Sequence, residues 1–203
     1  MEDVATALGV AKGTLYGYVE SKATLFDACV RCADGHEPLP EPSVLPLRAP
    51  KPGSTVASVE ARLMKEVRDL DLLAALTRAP PPDAAAELAA IVQDLYARMR
   101  RNRWGIKLVD RCAHDQPELA AVWFGRGRSG QQAALVQYLE LRSAVGLLRR
   151  PPSLHVAARA ILETLAFWAV HRHWDPSPQE VAEKDVQATI VDLIQHGLAK
   201  EPA

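Results

Sequence analysis

Leu8-Gly9-Val10-Ala11-Lys12-Gly13-Thr14-Leu15-Tyr16-Gly17-Tyr18-Val19, followed by Ser21-Lys22 and Leu25-Phe26, is the stretch on which the reading of this chain turns. Apolar groups fall at Val4, Leu8, Val10, Leu15 and Tyr18, with a small Ala5 and a Gly9 between two short segments of helical spacing. The pattern predicts a helix-turn-helix. Ala5 lets two helices approach, Gly9 can take the left-handed conformation that ends the first, and the apolar set fills their crossing. Ala11 falls at the N-cap of the second helix, where Ser or Thr would be more favourable by about 1 kcal/mol.

Outward from this module, residues 34–54 carry Pro38, Pro40, Pro42, Pro46, Pro50 and Pro52, which interrupt regular structure and read as a linker or an extended strap. The expected domains are therefore residues 1–33, a linker at 34–54, and a larger body over 55–203. From Thr55 to Leu76, Val56, Val59, Leu63, Val67, Leu70 and Leu73 recur as on one face of a single helix, which Pro80-Pro81-Pro82 stops. Asp83 is placed to cap the next, with Leu88, Ile91, Val92, Leu95 and Met99 as its stripe. A short helix through Leu108 and Cys112 follows. A long one starts at Asp115-Gln116-Pro117-Glu118 and runs to about Ala144. Ser153 caps a helix ending near Trp174, and Ser177-Pro178-Gln179-Glu180 reads as a capping box opening a last helix that ends around Gly197.

Hydrophobic residues make up 48% of the 203 and aromatic ones only 5%, so the interior must be filled mainly by Ala, Leu and Val. No window alternates apolar and polar residues over a strand length, and the fold class predicted is all-α. The net charge of −1 gives no bulk electrostatic reason to expect nucleic acid or membrane, so any such partner needs a local argument. No apolar run approaches the roughly 20 residues that span a bilayer, and the acidic start Met1-Glu2-Asp3 is unlike a signal peptide; a cytoplasmic location without membrane contact is expected. Cys29, Cys32 and Cys112 are odd in number and read as reduced thiols.

The run from Leu8 to Val19 with Ser21-Lys22 and Leu25-Phe26 resembles the TetR family of one-component transcriptional regulators. The resemblance implies that Lys12, Gly13, Thr14, Tyr16, Gly17, Tyr18 and Lys22 lie on or beside a recognition helix facing double-stranded DNA. Lys12, Tyr16 and Lys22 would anchor phosphates, and Thr14, Gly17 and Tyr18 would face bases. A lysine at a helix N-terminus suits a phosphate, because charge and free backbone N–H groups converge there. Gly13 and Gly17 would let the backbone approach the groove. In the family a further helix precedes the position of Glu2, so the chain is expected to begin at what would be the second helix. Residues 1–35 hold three basic and five acidic side chains, a net −2, and no basic arm.

The resemblance extends more weakly over residues 55–203. It implies a homodimeric repressor of pseudo-palindromic operators, released by a small-molecule effector, with the last two helices pairing across a two-fold axis. Between Ala160 and Val170 only Glu163 and Thr164 are polar, so that helix is expected to be buried on two sides, and Ile190 and Ile194 of the last helix to face the partner. Tyr96, Trp104, Trp123, Phe124 and Phe167 are candidates to line an apolar effector cavity among the middle helices, with Arg111 to fix an anion or carbonyl. A dimeric ligand-binding protein without DNA activity is the alternative.

Other motifs carry less. Gly125-Arg126-Gly127-Arg128-Ser129-Gly130 fits G-x-G-x-x-G, but no strand precedes it and a dinucleotide fold has no support. Cys29-x-x-Cys32 with His36 lacks a second pair at zinc spacing and reads as small apolar residues on a helix. His171 and His173, two apart on a helix, point away from each other. With no nucleophile elbow, paired carboxylates or P-loop, no enzyme, metal or cofactor is expected.

Overall fold

The computed structural model describes residues 1–200. Among them there is no strand, only two isolated bridges, and the chain is all-α. It divides into two compact units, Met1–Arg62 and Leu63–Ala203.

The amino-terminal unit contains α1 (Glu2–Leu8), α2 (Lys12–Tyr16), α3 (Lys22–Cys32) and the first turns of α4 (Ser54–Arg68). The proline-rich residues between α3 and α4 belong to this unit, so the boundary lies inside α4 and not at either end of the 34–54 segment. The segment is a strap: the Leu47 N–H donates to Tyr18 O at 2.8 Å, the Glu20 N–H donates to Leu47 O at 3.0 Å, and the Ala49 N–H donates to Glu20 Oε2 at 2.9 Å. Prolines cannot supply those donors, and the residues that do are the ones between them.

In the carboxy-terminal unit α6 (Ala84–Arg101) is the central element, packed against α10 (Leu154–Ala169) and α11 (Glu183–Leu198); α9 (Ser129–Ala144) packs against α10 and against α5 (Asp71–Thr77). The stripe Leu88, Ile91, Val92 and Leu95 faces this core, as its spacing predicts, and Asp83 accepts the Ala86 N–H at 2.9 Å as the N-cap. On α9 the stripe Leu135, Tyr138, Leu139 ends in Arg142, also buried. Arg142 Nε reaches Glu87 Oε2 at 2.7 Å and Arg142 Nη2 reaches Ala75 O at 2.7 Å, while Tyr138 and Arg78 complete the Glu87 carboxylate. A buried ion pair survives only when its remaining donors and acceptors are satisfied in this way.

Three helix boundaries differ from the sequence expectation. The expected single helix from Thr55 to Leu76 is two, α4 and α5, broken at Asp69-Leu70. Leu70 turns into the core, Arg98 of α6 takes the carbonyls of Glu66 and Asp69 at 2.6 Å each, and Asp94 accepts the Asp71 N–H at 3.2 Å. The caps of that break come from another helix, about thirty residues away in sequence. Ser177-Pro178-Gln179-Glu180 does not open α11, which starts at Glu183 after Ala182. The carboxylate that organises this end is Glu183, held by the Tyr96 hydroxyl at 2.6 Å and by Arg172, so the start is set by tertiary partners. The helix capped by Ser153 ends at Ala169, and His171–Trp174 is a separate 3-10 turn.

The long helix after Asp115 is continuous in path but mixed in type. α7 (Arg103–Cys112) and a 3-10 turn lead into α8 (Pro117–Ala120), a π-helical stretch Ala121–Arg128, and α9. The glycines of Gly125-x-Gly127-x-x-Gly130 are therefore helical, with no strand before them.

Candidate nucleic-acid interface

α1 closes as its glycine predicts. Gly9 has φ 67°, its N–H donates to Thr6 O at 3.1 Å and the Val10 N–H donates to Ala5 O at 3.0 Å, the two bonds of a Schellman ending. A side chain on any other residue would resist that φ. The chain then turns through Ala11, extended at ψ 144° and without a side-chain cap, into α2. Ala5 and Leu15 are buried between these short helices, as the spacing requires.

After α2 the Gly17 N–H donates to Thr14 O and the Tyr18 N–H to Leu15 O, a tight exit in which a Cβ at Gly17 would stand 3.2 Å from Thr14 O. Local crowding is thus one reason for this glycine, whereas a Cβ at Gly13 would meet open space. Val19 is buried, and its neighbours Tyr18 and Glu20 are the residues that the strap holds. Ser21 is the N-cap of α3, its Oγ accepting the Thr24 N–H at 3.1 Å, so Lys22 occupies the first helical position.

Lys12, Gly13, Thr14, Tyr16, Gly17, Tyr18 and Lys22 are all exposed, around α2 and the start of α3. Lys12 is not idle: its Nζ pairs with Glu2 Oε2 at 3.1 Å, and the hydrogen bond to Glu2 holds the ammonium above its ordinary pKa. Neither Glu2 nor the strap residues Leu47 and Ala49 emerge from sequence reasoning. Glu2 lies ten positions from its partner on a different helix, and backbone pairing of the strap leaves no side-chain pattern.

Val4, Leu8 and Val10 are also exposed, Leu8 to 64%, so these apolar positions of the module stand at its surface. Phe26 is half-buried.

The residues proposed from sequence for an effector differ in their surroundings. Tyr96 is buried, and burial together with Glu183 pushes its hydroxyl pKa up. Trp104 is 61% exposed and meets Trp174 edge-on at 4.9 Å; Arg111 is exposed. Phe167 is on the outer surface beside a shallow hollow of about 30 Å³ that Arg172 and Asp175 also line. Trp123 and Phe124 do stay together on the π-helical stretch. The Trp123 Nε1–H donates to Asp110 Oδ1 at 3.2 Å, Arg128 lies over Phe124, and Arg128 also bonds Glu163 at 2.7 Å. Among the described residues no group of three His, Cys, Asp or Glu side chains is placed to hold a metal ion, and no helix is long and apolar enough to cross a membrane.

Residues 1–29 match the model of the bacterial regulatory proteins of the tetR family. By this module the chain is similar to that family. The match covers α1, α2, most of α3 and the turns between them, which together carry all seven exposed residues. Over most of the chain, the structure is similar to the crystal structure of a bacterial regulatory protein in the tetR family from Rhodococcus RHA1, with 18% identity and a TM-score of 0.54, covering 90% of this chain and 100% of that one. At that identity the likeness speaks for the TetR fold. No curated protein matches the sequence.

Proposed function

We propose that the protein is a homodimeric TetR-like transcriptional repressor that binds a pseudo-palindromic DNA operator and is released by a small-molecule effector. One observation carries the reading: the helix-turn-helix that matches the family presents Lys12, Thr14, Tyr16, Gly17, Tyr18 and Lys22 together to solvent. Lys22 sits at the N-terminus of α3, where unpaired N–H groups and the helix dipole add to its charge, and Lys12, Tyr16 and Lys22 are assigned to phosphates. Thr14, Gly17 and Tyr18 are assigned to base edges.

Dimerisation is assigned to α10 and α11. In the single chain only one side of α10 is covered, by Ala158, Ile161, Leu162 and Leu165 packing inward, and Val156 and Phe167 remain exposed on it. On α11 Ile190 packs into the chain's own core and Ile194 is half-buried against it, so the residue offered to a second copy is Leu193, 65% exposed. The effector is assigned to the surroundings of Trp123 and Phe124, two rings beside the Asp110–Arg128–Glu163 chain on a π-helical stretch. Such stretches recur at functional sites.

The second reading, a dimeric ligand-binding protein without DNA activity, draws support from the net −2 charge of residues 1–35 and from the Glu2 carboxylate already on Lys12. Selection of bound duplexes from a random pool, followed by fluorescence anisotropy at several salt concentrations, separates the two. The expected result is a two-fold symmetric site, with affinity falling as salt rises. Lys22→Ala should weaken every sequence alike and reduce the salt slope by about 1. No enriched site, with the chain folded and dimeric, favours the second reading.

A further inference from the structure

We propose that Cys29 and Cys32 form a reversible dithiol–disulfide switch at the carboxy-terminal turn of α3. The proposal goes beyond the DNA-binding reading and does not depend on it.

The sequence expectation for this pair was small apolar residues on a helix, but Cys29 is exposed and Cys32 only half-buried, and neither is bridged. Burial of an apolar group therefore does not account for Cys29. A metal does not account for the pair either, since no third ligand of the right type is grouped with them among the described residues. Two thiols three residues apart at accessible positions share one chemistry that uses both, oxidation to a disulfide.

Geometry decides what that oxidation does. Residues three apart on an α-helix have Cα atoms about 5 Å apart, from a rise of about 1.5 Å per residue on a radius of about 2.3 Å, and this lies within the disulfide range of roughly 4.4–6.8 Å. Their Cβ atoms, about 5–6 Å apart, are too far for the roughly 3.5–4.5 Å that the bond needs. The bond therefore forms only if the turn opens. This turn is the last on α3: Cys32 is the last helical residue, Ala33 leaves at ψ 139°, and the Ala33 N–H to Cys29 O bond is the closing one.

Opening it has a consequence nearby. The Cys32 thiol points to Pro38 O at 3.5 Å, Asp34 receives Arg62 of α4 at 2.7 Å, and Arg62 also reaches Val30 O at 3.5 Å. Arg31, between the two cysteines, pairs with Asp27 and Glu37. Drawing Cys32 toward Cys29 moves the segment that carries Asp34 and Glu37, and so loosens α3 from its neighbours within the amino-terminal unit.

The oxidant is a peroxide. The Cys29 thiolate attacks one peroxide oxygen, the O–O bond breaks and hydroxide leaves, giving a sulfenic acid. The Cys32 thiolate then attacks the Cys29 sulfur, the S–O bond breaks and a second hydroxide leaves. Two thiols lose two electrons and two protons to one disulfide, and the peroxide becomes two waters. An external dithiol reverses the step by thiol–disulfide exchange.

The test uses the full chain and hydrogen peroxide. After treatment, free thiols are alkylated and the protein is cut with trypsin, which cleaves after Lys22, Arg31 and Arg48 and so separates the two cysteines. Expected are a crosslink between peptides 23–31 and 32–48 within one chain, a free Cys112, and full reversal by dithiothreitol. Cys112→Ser should leave the crosslink in place, whereas Cys29→Ser and Cys32→Ser should each abolish it while circular dichroism stays that of the parent. Hydrogen exchange should rise at least several-fold at the end of α3 on oxidation and return on reduction. Crosslinks only between chains, separate over-oxidation of the two sulfurs, or unreacted thiols would each overturn the proposal. An intrachain crosslink without any change in exchange would overturn the opening of the turn.

Discussion

The two units hold themselves together differently. The carboxy-terminal unit is built around a continuous core in which Leu72, Leu88, Ile91, Leu95, Tyr96, Leu135, Tyr138, Leu139 and Leu165 are all fully buried. The amino-terminal unit buries only Ala5, Leu15, Val19, Val30 and Val59 among its apolar residues, and leaves Val4, Leu8, Val10, Leu39 and Val44 at the surface. Burying a large apolar side chain contributes about 1.5–3 kcal/mol, so the carboxy-terminal unit has a large reserve and the amino-terminal unit has little. In its place the amino-terminal unit uses directional bonds: the strap on Tyr18 and Glu20, the Ser21 cap, and the Asp27–Thr55 and Asp34–Arg62 contacts. Surface available for a partner and surface available for a core compete in a module this small.

The largest expected effect sharpens the contrast from the carboxy-terminal side. Glu87→Ala leaves the Arg142 guanidinium buried without its carboxylate and should cost about 3–5 kcal/mol in urea unfolding, whereas replacing both residues by apolar ones of similar size should cost far less. Burial pushes the Glu87 carboxyl up, but the hydrogen bonds from Arg142 and Arg78 outweigh it and hold the pKa below its ordinary value. The contribution is therefore complete above the unfolded pKa and is lost as pH falls through the folded one. Equal losses in the single and double variants would mean that the pair adds stability beyond mere mutual compensation.

A second comparison sets two neighbours on α11 against each other. Ile190→Asp places a carboxylate in the core and should unfold the carboxy-terminal unit, while Leu193→Asp should give a folded monomer by light scattering with an unchanged circular dichroism spectrum. A Leu193→Asp chain that stays dimeric would remove α11 from the proposed interface.

The smallest effect belongs to the amino-terminal unit. Ser21→Ala removes the cap of α3 and should cost about 1 kcal/mol, seen as faster amide exchange from Lys22 to Leu25 with no change around Leu88 or Leu139. Uniformly faster exchange in both units would erase the distinction drawn between them.

What the sequence made legible follows the same division between local and distant causes. The α1–Gly9–α2 turn, the Asp83 and Ser153 caps and the Leu88-to-Leu95 stripe were readable, because each is settled by residues within a turn or two of one another. The α4–α5 break was not, since Arg98 and Asp94 of α6 cap it, and the start of α11 was misplaced because Tyr96 and Arg172 hold Glu183. For the candidate interface, the helix-turn-helix that exposes the seven residues was legible, as was an extended strap after it; the backbone pairing that docks the strap and the Glu2 partner of Lys12 were not. For the effector set, aromatic type was visible, but type alone does not say which rings turn outward, and Trp104 and Phe167 do.

The Glu2–Lys12 pair also changes how charge should be counted at this surface. A lysine with no neighbour offers a phosphate a whole positive charge. Lys12 offers one already spoken for, so an incoming phosphate must trade places with a carboxylate that then stays close by and repels it. Added salt weakens the incumbent as well as the newcomer, since both are exposed ionic contacts. On the proposed DNA-binding reading, Lys12 would be a selective contact, engaged by a partner whose geometry supplies enough elsewhere to displace Glu2.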